Sequence, residues 1–139
     1  MAAPVTHTDR ELTSLHPKLV LAWLLVRDTA ARAGYPIFLV EGRRSNDRQD
    51  WLYAQGRTRP GDIVTHAKAG ESNHNPKADG FGHALDFAFQ GSEPFDDRHP
   101  WELVGLDAEK RGLVWGGRWP EKKRDRPHLE LPPQDGADG

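Results

Sequence analysis

Three short stretches of the sequence hold side chains that can do chemistry together. They are Ser72-Asn73-His74, then Gly82-His83-Ala84-Leu85-Asp86, then Asp125-Arg126-Pro127-His128-Leu129-Glu130. Two imidazoles and one carboxylate can supply three ligands to zinc, and catalytic zinc sites commonly leave a fourth position to water. A further carboxylate beside that water can take its proton. Asp125 stands three residues before His128, close enough to face the same centre from one turn of chain. His and Asp are also common at surfaces, so the residue types alone leave a set of solvated side chains open. His7, His16, His66 and His99 lie near termini, caps or loops and read as bland.

Composition bounds what can position these groups. The chain has 139 residues, 36% hydrophobic and 29% charged, with a formal charge of -2. That size suits one domain over 1–139, with its core at about 15–131 and loose termini. Near-neutral charge excludes a nucleic-acid binder that works by bulk charge. The lack of cysteine removes disulfides, thiolate zinc sites and cysteine nucleophiles. Any metal must then be held by His, Asp or Glu. The longest apolar stretch, Leu19 to Val26, is too short to span a bilayer, so no membrane insertion is expected. Met1 to Arg10 lacks the pattern of a signal peptide, which implies synthesis in a cytoplasm.

The elements follow from periodicity. Leu19, Trp23, Val26 and Ala30 form one stripe of a helix over Pro17–Ala33, started by Ser14 or His16 and stopped by Gly34. Pro36 to Val40 reads as a buried strand. Ser45 can cap a second helix over 46–54 with Trp51 and Leu52 inward. Arg57 to Asn73 reads as a long ordered loop. His83 to Phe89 alternates, which places Leu85, Phe87 and Phe89 on one face and Asp86 with two alanines on the other. Pro100 to Arg111 reads as a third helix. Leu113 to Trp115 and His128 to Leu131 read as strands, and the tail from Pro132 as frayed.

Several ordered motifs carry a family resemblance. The chain has Glu41-Gly42-Arg43-Arg44-Ser45, Gln49, Leu52-Tyr53-Ala54-Gln55-Gly56-Arg57-Thr58, Ser72-Asn73-His74, Gly82-His83-Ala84-Leu85-Asp86-Phe87, Trp115-Gly116-Gly117-Arg118-Trp119 and Asp125-x-x-His128. In these it resembles the zinc-dependent peptidoglycan peptidases of the D-Ala-D-Ala carboxypeptidase/dipeptidase superfamily. It is most similar to the L-alanyl-D-glutamate endopeptidases of phage endolysins. The likeness runs from about Leu15 to Leu131. Two departures stand out. Asn75 to Phe81 is a longer spacer after the Ser-x-His motif than the family usually has, and Arg43 fills a position usually aromatic.

The resemblance implies an α+β fold, a small antiparallel sheet with helices packed on one side. It implies one zinc per chain, held by His74, Asp86 and His128. His83 competes with His74 as first ligand, but on a strand it points away from Asp86. By the same resemblance Asp125 is the general base and Arg44 stabilises the oxyanion, though Arg44 can instead pair with Glu41 or Asp47. Ser72, Trp115 and Gln49 are candidate substrate contacts. Ser72 can equally serve a turn, and Trp115, like Trp119, can equally belong to the core. Glu130 can support His128 or form a plain ion pair. Arg57, Arg59, Lys68, Lys122, Lys123 and Arg124 can attract an anionic wall polymer or form a solvated face.

The implied activity is hydrolysis of peptidoglycan stem peptides at the L-alanyl-D-glutamate bond, by an endolysin or cell-wall hydrolase. The alternatives are a D-alanyl-D-alanine carboxypeptidase or dipeptidase, and a non-catalytic wall-binding module. The expected partner is bacterial peptidoglycan, met by a monomer that acts on the wall or in the periplasm. Release through a phage holin would fit the lack of a signal peptide.

Overall fold

The computed structural model describes residues 5–133. In chain order the elements are α1 (Pro17–Arg32), β1 (Ile37–Glu41), α2 (Asn46–Ala54), β2 (Ala84–Phe89), α3 (Trp101–Lys110), β3 (Val114–Trp115) and β4 (His128–Glu130). Single 3-10 turns occupy Leu12–Ser14 and Gly116–Arg118. The strands form one sheet in the order β1-β2-β4-β3, with every neighbouring pair antiparallel. The expected fold class is the observed one.

α1 starts as its sequence dictates. Pro17 takes the first helical position, where its missing N–H has no partner to lose. His16 caps it, its Nδ1 accepting from the Lys18 N–H at 3.0 Å. Leu19, Trp23, Val26 and Ala30 are all buried. They meet Leu85, Phe87 and Phe89 of β2 and Trp101 of α3 in one core. Phe87 lies 6.4 Å from the Trp23 ring and 5.5 Å from that of Trp101. Truncating an aromatic in such a position typically costs about 3–5 kcal/mol. α1 and α3 therefore cover one sheet face, and the other face is left for Asp86.

α2 departs from its expected packing. Its buried residue is Gln49, while Trp51 and Leu52 are only half-buried. The helix faces the irregular segment 55–83 rather than the apolar core, so hydrogen-bond partners decide its inward side. Positions 1–4 and 134–139 lie outside the described residues, and with them part of the expected loose termini; residues 5–14 are instead held to the fold, with Gly42 N–H donating to Asp9 O at 2.8 Å and Arg48 Nη1 to Val5 O at 2.6 Å.

Sheet register does the main positioning. A bulge in β1 between Leu39 and Glu41 shifts the pairing, so that Glu41 stands opposite Asp86 and Asp86 stands opposite His128. Directly opposed residues of antiparallel strands project from the same face. Glu41, Asp86 and His128 thus form one row across three strands.

Candidate active site

His74 comes to this row from the long loop. The loop is fixed by backbone bonds, from Arg44 N–H to His74 O at 2.8 Å and from His83 N–H to Asn73 O at 2.9 Å. The buried Asn75 braces it further. Its Oδ1 accepts from Gly70 and Ser72 N–H, and its Nδ2 donates to Arg44 O at 3.0 Å.

Each imidazole is oriented by a second partner. His74 Nδ1 lies 2.8 Å from Gly42 O. A carbonyl only accepts, so Nδ1 carries the proton and Nε2 is turned to Asp86. His128 Nε2 lies 2.7 Å from Glu130 Oε1, which leaves Nδ1 turned to Asp86. His74 Nε2 and His128 Nδ1 stand 3.3 and 3.4 Å from Asp86 Oδ1. That oxygen is buried and has no hydrogen-bond partner among the described residues.

These distances are long for charge-assisted hydrogen bonds, which fall at about 2.7–2.9 Å. They fit a shared metal better. With ligands about 2.0 Å from zinc, neighbouring corners of a tetrahedron stand roughly 3.3 Å apart. The three candidate ligand atoms all lie within 4.8 Å of one another. Two imidazole nitrogens and one carboxylate oxygen also suit zinc chemically.

Electrostatics agree. Burial works to raise the Asp86 pKa, but His74 and His128 outweigh it and hold the carboxyl well below the usual range. For metal-free His128, burial works downward, yet Asp86 and Glu130 push the pKa up to about 9. Asp125 is raised, first by its removal from bulk water and then by the negative charge of Asp86.

Asp125 Oδ2 lies 3.9 Å from His128 Nδ1 on a half-exposed side chain. A tight turn holds it there. Asp125 N–H donates to Gly116 O at 3.0 Å, and Asp125 O accepts from His128 N–H. Gly116 is needed because a Cβ there would overlap the Asp125 carbonyl.

Arg44 is tethered as well as placed. It donates from Nη2 to Glu41 Oε1 at 2.8 Å and from Nη1 to Gln49 Oε1 at 3.0 Å. Nη2 also lies 3.8 Å from Asp86 Oδ2. Arg44 pairs with Glu41 and also lines the cleft. Glu41 also accepts two bonds from Arg48.

An open cleft of about 580 Å³ contains His74, Asp86, His128, Asp125 and Arg44, together with Ser72 and Trp119. Two candidate contacts need correction. Gln49 is fully buried, with its amide given to Arg44 and to Ala67 O at 2.7 Å, so it supports Arg44 and cannot reach a ligand. Trp115 is buried in the core with its indole N–H on Arg126 O at 2.9 Å. The cleft's tryptophan is Trp119, 4.9 Å from the His128 ring. Ser72 lines the cleft while its Oγ accepts from His74 N–H at 3.1 Å. His83 points away, with Nε2 2.8 Å from Asp79 Oδ2. Arg57 and Arg59 are committed to the Tyr53 and Trp51 rings and to backbone carbonyls, so they form no free cationic patch.

Sequence reasoning left Asn75, Asn73 and Lys77 unread. Only the placement of the two asparagines beside His74 hints at them, since polar loop residues carry no periodic signal.

A nitrogen–nitrogen–oxygen donor set opening onto a cleft, with a spare carboxylate alongside, is the arrangement of a metallopeptidase. Residues 65–131 match the family model described as D-alanyl-D-alanine carboxypeptidase. The chain is 39% identical to the peptidoglycan L-alanyl-D-glutamate endopeptidase CwlK of Bacillus subtilis (strain 168), over 87% of this chain and 75% of the relative. The L-Ala D-Glu endopeptidase ChiX of Serratia marcescens superimposes with a TM-score of 0.62 at 20% identity, over 93% of this chain and 89% of that one. The vancomycin-resistance D,D-pentapeptidase VanY, solved as a mutant with Zn(II), gives 0.61 at 14% identity, over 84% and 72%. The chain belongs to this D-alanyl-D-alanine carboxypeptidase family of peptidases.

Proposed function

We propose that the protein is a zinc peptidase that cuts the L-alanyl-D-glutamate bond of peptidoglycan stem peptides. The observation that carries this reading is the buried, unpartnered Asp86 Oδ1 between His74 Nε2 and His128 Nδ1, in a chain 39% identical to CwlK. His74, Asp86 and His128 would hold zinc. When bound, the ion supplies an acidified water and a Lewis acid for the scissile carbonyl. Asp125 takes the proton from the attacking water and returns it to the leaving amine. Its raised pKa favours the second of these tasks. Arg44 brings a permanent positive charge to the cleft, where negative charge develops on the carbonyl oxygen. A guanidinium has five N–H donors, and Glu41 and Gln49 occupy two of them. Its tethers hold it in place before the reaction begins.

The motif resemblance supports an endolysin role. No helix among the described residues is long and apolar enough to cross a membrane. The description of the matching family model favours a second reading, D-alanyl-D-alanine carboxypeptidase. Digestion of purified sacculi, followed by mass spectrometry, separates the two. New D-glutamyl amino termini support the endopeptidase, and free D-alanine supports the carboxypeptidase. Unchanged sacculi with zinc-loaded protein would refute both.

A further inference from the structure

The segment 75–81 takes no part in the proposed reaction, yet beyond the buried Asn75 described above it is tied down at three further points. Arg43 Nε donates to Gly80 O at 3.1 Å. His83 Nε2 lies 2.8 Å from Asp79 Oδ2. Lys77 Nζ donates to Asn73 Oδ1 at 2.6 Å. The segment also closes on itself, from Lys77 N–H to Phe81 O and from Gly80 N–H to Lys77 O. Gly80 allows this turn with a φ of 83°, a left-handed value that favours glycine.

The third tie leads inward. Asn73 Nδ2 donates to Glu130 Oε2 at 2.7 Å. The other oxygen of that carboxylate accepts from His128 Nε2, also at 2.7 Å. Ammonium, amide, carboxylate and imidazole thus form one unbroken chain. Its polarity is fixed from the outer end. An ammonium can only donate, so Asn73 must offer Oδ1 to Lys77 and Nδ2 to Glu130. A carboxylate accepts, so His128 must give Nε2–H to Glu130 and turn Nδ1 toward Asp86. Without Lys77, the Asn73 amide loses the anchor on its oxygen and keeps only its bond to Glu130.

We infer that Lys77 is a positioning residue for the metal site, acting through Asn73 on the placement of Glu130 and so on the orientation of His128. This rests on the metal reading above. Partners of a metal-bound histidine commonly change metal affinity by about 10–100-fold, and Lys77 stands two links further out, so a loss of roughly 3–10-fold is expected.

The test is zinc affinity by competition with a chromogenic chelator, alongside thermal melts of the metal-free proteins. Lys77→Met should weaken zinc by that factor, and Lys77→Arg should recover most of it. In an Asn73→Ala background, Lys77→Met should cost nothing further. Arg43→Ala releases another tie of the segment but not the relay, and should leave zinc affinity unchanged. Should the Met variant fail to fold, Lys77→Gln carries the same comparison. Wild-type affinity in Lys77→Met would overturn the inference. So would an undiminished loss in the Asn73→Ala background, or an equal loss from Arg43→Ala. A wild-type protein that takes up no zinc refutes the metal site itself, and that failure shows before any substitution is made.

Discussion

Glu41→Gln tests the buried charges that support the site. The Glu41 side chain is 5% exposed and bonds two guanidiniums, those of Arg44 and Arg48. Glutamine keeps the shape but removes the charge and one acceptor. Removing one partner of a buried ion pair typically costs about 3–5 kcal/mol. Here both arginines retain other contacts. Arg48 keeps Val5 O and the Trp51 ring, and Arg44 keeps Gln49 and the nearby Asp86. The lower end, about 3 kcal/mol, is therefore expected. Unfolding entropy near 2.1 cal/mol/K per residue gives roughly 0.3 kcal/mol/K for this chain, so Tm should fall by about 10 °C.

The effect should also depend on pH. Burial works to raise the Glu41 pKa, but the hydrogen bonds and charges of Arg48 and Arg44 outweigh it, and the net shift is downward from 4.5. The folded pKa lies below the unfolded one, so the stabilisation is full above 4.5 and is lost as pH falls through the folded value. Melts of both proteins in chelator, at pH 7 and at pH 3.5, should show a gap that narrows in acid. Turnover should fall in the variant with zinc content retained, because Arg44 loses its tether. A Tm within ~2 °C of wild type at pH 7, or a gap that stays constant in acid, would refute this reasoning.

Other substitutions separate the remaining roles. His74→Ala should lose zinc and activity together while His83→Ala keeps both, read by metal analysis and muropeptide turnover. Asp125→Asn should keep zinc and lose about two to four orders of magnitude in kcat, the usual scale for general acid–base catalysis. Zinc uptake at pH 8 should release a proton from His128, because its metal-free pKa is about 9 and only the neutral ring binds metal. Calorimetry in buffers of different ionisation enthalpy measures that proton directly.

What the sequence showed and what it hid divide along physical lines. The stripe Leu19, Trp23, Val26 and Ala30 was readable because an apolar core imposes a helical period on a helix that faces it. The parity argument turned His83 away from Asp86, and although β2 begins one residue later, at Ala84, His83 does face Asp79 instead. α2 defeated the same logic. Its neighbour is a polar loop, so Gln49 is buried by its bonds to Arg44 and Ala67, while Trp51 lies under Arg59. The two tryptophans of the Trp-Gly-Gly-Arg-Trp run could not be sorted from sequence either. β3 sends Trp115 into the core over Gly105, and the 3-10 turn after it carries Trp119 round to His128. The relay through Asn73 and Lys77 depends on loop geometry alone.

The most direct test of the account is an anomalous difference map at the zinc edge from crystals of the zinc-loaded protein. The account predicts one strong peak bounded by His74 Nε2, Asp86 Oδ1 and His128 Nδ1, with Asp125 facing its open side. No peak at that point, or a peak beside His83 instead, would contradict it.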